Sequence, residues 1–224
     1  ANMGGCGLGL KAMSGLNTET GALISCVIAL VIFWVKEFGK ALDTFTKLLG
    51  VLMILLTLYV AISSQPPLLE AAQRSFFPKQ SDIIAIVTLV GGTVGGYISF
   101  AGAHRLLDAG ISGSNNLNEV SRSAISGIVI TGIMRTILFL AVLGVVAGGA
   151  VLSKENPAAS AFQIAAGEIG YRFFGVVMWC AAITSVVGCA YTSVSFLRDL
   201  HPFIERNQRY FISAFIFFST IIFI

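Results

Sequence analysis

Apolar residues occur in long runs separated by short polar segments, and these runs define the predicted elements. A helix that crosses a bilayer needs about 20 mostly apolar residues, because lipid offers no partner to its backbone N–H and C=O groups. Six or seven such spans can be drawn along the 224 residues, the first of them short and glycine-rich. Their predicted limits are 1–16, 21–35, 42–62, 82–107, 123–152, 166–197 and 210–224.

Composition supports a membrane protein. Apolar residues make up 56% of the chain and charged residues only 11%, against about 25% charged in a typical soluble domain. This balance argues against a soluble globule, a disordered chain and a secreted disulfide scaffold. We predict an all-α integral membrane protein with one transmembrane domain and the lipid bilayer as its surroundings. The net charge of +3 comes without a basic run, so no nucleic-acid partner is expected.

Both ends of the chain are expected to be cut. The chain opens on the glycine-rich segment 1–5, and it closes within the apolar run 211–224, which is shorter than a full span. We interpret the chain as a fragment from the middle of a longer membrane protein.

Basic residues indicate the orientation. If the spans alternate, the loops after the second, fourth and sixth spans lie on one side of the membrane. Those loops carry more lysine and arginine than the loops after the first, third and fifth spans. Cytoplasmic loops are enriched in these residues, so the first set is predicted to be cytoplasmic, in what we expect to be a bacterial plasma membrane.

Residues capable of catalysis are scarce. The acidic residues Asp82, Glu119 and Glu168 fall at predicted helix starts, where a carboxylate complements the helix dipole. His104 and His201 flank loops, and the four cysteines lie in apolar stretches, where we expect buried thiols. We therefore predict that the protein is not an enzyme, that it has no resident cofactor and that it has no obligate protein partner.

Four glycines interrupt the fourth span, at Gly91, Gly92, Gly95 and Gly96. Each glycine inside a helix costs about 1 kcal/mol relative to alanine. One interpretation is close helix packing, which small residues permit. The other is an unwound segment near 91–97, whose freed carbonyls could bind a cation as in broken-helix transporters. The pattern by itself favours the second interpretation only slightly.

The segment 91–97, G-G-T-V-G-G-Y, resembles the sixth-helix motif of the Nramp divalent-metal transporters, G-A-T-V-M-P-H. Segment 1–10 resembles their third helix, A-E-V-I-G-T-A-I-A-L, and segment 38–42 the basic start of their fifth. The order of spans matches that of helices three to nine. The resemblance implies a LeuT-like inverted-repeat transporter fold with a broken sixth helix, incomplete here at both ends.

The departures from the family motif suggest which metal is carried. Gly95 stands where the family has a methionine, whose sulfur favours softer metals. An enlarged site with oxygen ligands suits Mg²⁺, which usually keeps several waters, and should also accept Mn²⁺. Asn2 and Tyr97 stand where the family has a glutamate and a histidine, and neither replacement titrates usefully at neutral pH. We therefore expect transport without proton coupling, as the Nramp-related magnesium transporter branch implies.

The resemblance also implies a residue assignment. The Gly92 carbonyl takes the position that faces the ion, and the first-helix ligands of the family are not in this chain. Arg135 lies deep in the fifth span, where a charge costs at least about 2.5 kcal/mol, and is expected to point away from the ion. The predicted metal-site residues are Gly92, Thr93, Gly95, Gly96 and Tyr97. Asn2 and Arg135 are assigned to the pathway or to gating, with a purely structural role for Arg135 equally open.

Two other functions stay open at this point. One is a sodium-coupled symporter of small organic solutes, because glycine-interrupted helices also bind carboxylates at half-helix N-termini. The other is a membrane scaffold without transport, in which the glycines serve only for packing. The gapless motif alignment favours the divalent-metal transporter over both.

Overall fold

A computed structural model describes residues 2–94, 106–107, 110–198 and 201–224, with the side chains of 36–47, 92–94 and 198 excepted. Within these ranges the chain is helical, and none of the described residues lies in a strand. The described helices are α1 (Asn2–Ser14), α2 (Thr18–Trp34), α3 (Lys36–Ser63), α4 (Leu68–Phe76), α5 (Ile83–Val94), α6 (Leu117–Ala147), α7 (Pro157–Arg198), α8 (Pro202–Arg206) and α9 (Gln208–Phe223).

Helix length and composition agree with a membrane protein. Among the described residues, the segments Ser114–Ala147 and Pro157–Leu197 are each long and apolar enough to cross a bilayer. Helices α1 and α2 meet the same test only as a pair, and the chain bends by 110° between them. A second pair, Leu48–Ser63 with Leu68–Phe76, also passes only when combined, and α9 is a shorter apolar helix.

The chain divides into two compact units. Unit 1 comprises Ala1–Pro66 and Ile137–Ile224, and unit 2 comprises Pro67–Thr136. The core of unit 1 has two clusters. The first joins α1, α2, α7 and α9, with Ile183 and Ile216 fully buried. The second joins α3, the end of α6 and the start of α7, where the rings of Phe162 and Phe174 stack with centroids 4.8 Å apart.

Glycines bring α1 and α7 into close contact in unit 1. A Cβ atom added at Gly9 would lie 2.7 Å from the Trp179 backbone nitrogen, and one at Gly175 would lie 2.8 Å from the Met13 nitrogen. Neither backbone segment could move away from the added Cβ atom without a shift of its whole helix. The small-residue packing that was one interpretation of the glycines in the fourth span therefore occurs here, between α1 and α7.

The helix ends differ from the predicted spans for local reasons. Helix α6 was expected to reach residue 152, yet it stops at Ala147. There Gly149 adopts φ +87°, and the Ala150 and Gly149 amides donate to the carbonyls of Val145 and Val146. This arrangement is a Schellman motif, which requires a left-handed residue that glycine supplies. Between the second and third spans the helix is interrupted at Val35, whose φ of −104° and ψ of 97° are extended. Helix α3 begins directly after it at Lys36, earlier than the predicted residue 42, because lysine and glutamate are good helix formers.

A kink divides α7 at Gly167, whose φ of +67° and ψ of −165° are not helical. The predicted sixth span began at residue 166, which is the point where the second, longer part of α7 starts. Glu168 follows the kink and pairs with Arg172, with 3.1 Å between Oε1 and Nε. The prediction that Glu168 lies at a helix start is thus confirmed, although the residues before it are helical as well.

Contacts at the helix ends agree with the alternating orientation. Lys11, in the last turn of α1, and Glu155, in the connection before α7, were both predicted on the outer side, and their charged atoms lie 2.6 Å apart. Trp34 and Tyr210 belong to segments predicted on the cytoplasmic side, and their rings meet edge to face at 5.9 Å. Each contact therefore joins two segments that the positive-inside pattern assigned to the same side.

Candidate functional site

Helix α5 carries the first part of the predicted metal site. Asp82 caps its start, because the carboxylate Oδ1 accepts a hydrogen bond of 3.0 Å from the Ala85 amide. From residue 83 to residue 91 every side chain is exposed within this chain. The apolar residues Ile84, Val87 and Val90 are among them, so α5 presents an exposed apolar surface.

The predicted break does not begin at Gly91. Helix α5 continues through Gly91 and Gly92 to Val94, because two adjacent glycines weaken a helix without excluding it. Gly92 and Thr93 thus lie together in the last described turn of α5. In a continuous helix their carbonyls would accept from amides four residues further along. Those amides, and the predicted site residues Gly95, Gly96 and Tyr97, lie outside the described residues.

Arg135 lies on α6 with an exposed side chain. Three ion pairs occur among the described residues, and Arg135 takes part in none of them. Its neighbours along the helix include Thr131 and Thr136, whose hydroxyls donate to the carbonyls of Gly127 and Gly132. The cation is therefore not neutralised by a described residue, and its predicted roles stay open.

Asn2 belongs to unit 1, whereas Gly92, Thr93 and Arg135 belong to unit 2. The Asn2 amide nitrogen donates to the Cys189 sulfur on α7 over 3.5 Å. Close by in the same core, the Trp179 indole donates to the Ser25 hydroxyl over 2.9 Å, and Ser25 donates to the Gly21 carbonyl over 2.7 Å. These bonds connect α1 and α2 to α7, so the contacts described for Asn2 are those of a helix-packing residue.

A small polar cavity of about 40 Å³ was not predicted. It lies in unit 1 beside the Lys11–Glu155 ion pair and is also lined by Asn156, Ser160 and Tyr171. The Asn156 Oδ1 atom already caps α7 by accepting from the Ala159 amide, and the Ser160 hydroxyl accepts from the Ser153 amide. The cavity therefore has room for about one water among groups that are largely satisfied.

Apart from the predicted site at 91–97, no cluster of metal-binding side chains occurs in the described part of the chain. No three His, Cys, Asp or Glu side chains come together there. His201, one of the two histidines, accepts a hydrogen bond of 3.1 Å from the Phe203 amide and caps the short helix α8. Cys6, Cys26 and Cys180 are buried and Cys189 is half-buried, in agreement with the burial that was expected of them.

Matches to known proteins extend over the whole chain. Residues 1–224 match the Nramp family model, described as "Natural resistance-associated macrophage protein-like". The chain is 56% identical over 223 residues to the "Uncharacterized membrane protein YcsG" of Bacillus subtilis, covering 100% of this chain and 55% of that protein. It is 57% identical over 221 residues to an "Uncharacterized membrane protein" of Haemophilus influenzae, covering 99% of this chain and 56% of that protein. No solved structure matches. The chain thus spans about half the length of these relatives.

Proposed function

Because the chain belongs to the Nramp family, we propose that the protein carries divalent metal ions across the membrane in which it is embedded. The main support is the gapless correspondence of segment 91–97 with the metal-binding motif of that family. Both relatives are named as membrane proteins, and the described chain has apolar helices of spanning length. The protein is therefore an integral membrane protein, and its transport activity is the proposal.

Magnesium is the proposed main substrate, with manganese also accepted. The Gly92 carbonyl, in the last described turn of α5, supplies a hard oxygen ligand, and Gly95 removes the thioether that softer metals prefer. Mg²⁺ gives up its waters reluctantly and is bound through few protein ligands. The space left by the missing methionine side chain allows the ion to keep part of its water shell. Thr93, Gly96 and Tyr97 line the same segment in this proposal.

Transport is proposed to run down the metal gradient without proton symport. The two family positions that titrate are occupied by Asn2 and Tyr97, which hold no proton that can be exchanged near neutral pH. A LeuT-like inverted repeat would provide the two access states, with the remaining helices supplied by sequence beyond this chain.

Flux through the full-length protein in liposomes tests the proposal. The vesicles contain a Mg²⁺-sensitive dye and a pH-sensitive dye, and external Mg²⁺ or Mn²⁺ is added with the pH clamped outside. We expect the metal signal to rise while internal pH stays constant, and protein-free vesicles to give neither signal. Internal acidification in step with metal entry would overturn the uncoupled mechanism. Sodium-driven uptake of an amino acid without metal flux would favour the symporter, and no flux of any solute the scaffold.

A further inference from the structure

The connection between the third and fourth predicted spans contains a helix with two chemically different faces. Helix α4 (Leu68–Phe76) follows Pro66-Pro67 and ends before Pro78. At 100° per residue, Leu68, Leu69, Ala72 and Phe76 fall within an arc of about 100°. The opposite face carries Glu70 and Arg74, which form an ion pair of 3.5 Å one helical turn apart. The nine residues are therefore segregated into an apolar face and a charged face.

The apolar face of α4 is not covered by any described part of this chain. No residue of α4 is buried. The Leu69 side chain is 76% exposed and the Phe76 side chain 81% exposed, and Leu68 and Phe77 are also exposed. Three large apolar side chains on one face of so short a helix would be poorly placed in water.

The position of α4 along the chain limits what can cover this face. The helix lies between the third and fourth predicted spans, so the predicted topology brings both of its ends close to the membrane surface. Helix α5 begins seven residues after Phe76 and exposes apolar side chains such as Ile83 and Ile84 from its first turn. The apolar face of α4 is thus followed, after the polar segment 78–82, by a helix that also exposes apolar side chains.

We propose that α4 is an interfacial helix, which lies at the non-cytoplasmic surface of the plasma membrane. Its apolar side chains, Leu68, Leu69, Ala72 and Phe76, then lie among the lipid acyl chains. Amphipathic helices with aromatic and leucine residues on one face and charges on the other bind membranes in this way. Glu70 and Arg74 then face water and headgroups, and the exposed Lys79 reaches the lipid phosphates.

Spin labels on the full-length protein in phospholipid vesicles test this placement. Cysteines are introduced singly at positions 69 and 76 on the apolar face and at positions 70 and 74 on the charged face, as L69C, F76C, E70C and R74C. The unsubstituted full-length protein serves as the labelling blank; of the four cysteines in this chain, three are buried and one is half-buried. Collision with oxygen reports exposure to lipid, and collision with a water-soluble nickel complex reports exposure to water.

We expect labels at 69 and 76 to collide with oxygen several-fold more than with nickel, and labels at 70 and 74 to show the reverse preference. Nickel access at all four positions would place α4 in water and overturn the proposal. Protection of 69 and 76 from both reagents would mean that other protein, including sequence beyond this chain, covers the apolar face, and this too would overturn it. Neither result depends on whether the protein transports metal.

Discussion

Glycine occupies three kinds of environment in this chain, and the physical consequence of replacing it differs in each. At Gly9 and Gly175 an added side chain would meet the backbone of a neighbouring helix. At Gly149 and Gly167 the backbone has a positive φ that other residues rarely adopt. At Gly91 and Gly188 an added Cβ would meet nothing within 4 Å. The presence of a glycine in the sequence therefore does not tell whether the position needs close packing, needs a positive φ or would accept a side chain.

Gly95→Met tests the role of the missing thioether in metal choice. We expect the sulfur to raise affinity for Mn²⁺ relative to Mg²⁺ by about tenfold, which corresponds to about 1.4 kcal/mol. Isothermal titration of the full-length protein with both metals measures the ratio. Gly91→Met is the matched control, because it adds the same side chain one turn earlier into open space. An unchanged ratio in Gly95→Met, or an equal change in both variants, would remove Gly95 from the proposed site.

Helices α1, α2, α7 and α9 form the best-packed part of the described chain, and they are joined by polar bonds as well as apolar contacts. The Trp34 indole donates to the Ser213 hydroxyl on α9 over 3.1 Å, and the Trp179 indole donates to the fully buried Ser25. An indole N–H in an apolar core needs such a partner. These bonds restrict the rotation of α2, α7 and α9 relative to one another, because a hydrogen bond is directional and apolar packing is not.

Gly9→Ala tests the close contact between α1 and α7. We expect a loss of about 1–3 kcal/mol of stability, because the added methyl group can only be accommodated by moving the Trp179 backbone. The unfolding midpoint of the detergent-solubilised protein, followed by circular dichroism, measures the change. Gly188→Ala on α7 is the control, since it gains up to about 1 kcal/mol of helix propensity without a clash. Equal midpoints for the two variants would contradict the described packing.

At the scale of the whole molecule, the described contacts are consistent with alternating spans. The Lys11–Glu155 pair lies at one set of helix ends and the Trp34–Tyr210 pair at the other. The ion pair is partly exposed on both sides, so it contributes about 0–1 kcal/mol and serves as a marker of proximity rather than a main source of stability. The basic residues of the loops predict which set of ends faces the cytoplasm.

Single cysteines at Gln80 and Arg206 test this orientation in intact cells. Both side chains are exposed, and they lie in connections assigned to opposite sides of the membrane. We expect a membrane-impermeant maleimide to label Gln80→Cys from outside, and to label Arg206→Cys only after the membrane is permeabilised. The reverse pattern would invert the predicted orientation, and labelling of both from outside would contradict the number of spans between them.

Much of this protein could be predicted from local sequence. In the regions of the fifth and sixth predicted spans, Ser114–Ala147 and Pro157–Leu197 are apolar helices of spanning length. The cap at Asp82 was likewise predictable, because it depends only on a residue three positions away. The resemblance of segment 91–97 to the Nramp motif could also be recognised from the local sequence. Helix α4 also had a local signal, an apolar face between two proline-marked boundaries, but the sequence analysis predicted no element between the spans 42–62 and 82–107.

The sequence alone thus determined that the chain is helical, that lipid surrounds it and that its relatives are the Nramp proteins, because these properties depend on runs of neighbouring residues. Only the tertiary structure showed that Gly9 lies against Trp179, that Asn2 contacts Cys189 and that Lys11 meets Glu155 from 144 positions away. Such contacts depend on how helices distant in the chain rotate and pack against one another. The packing minimises the free energy of the whole fold, and it cannot be read from any single segment of the sequence.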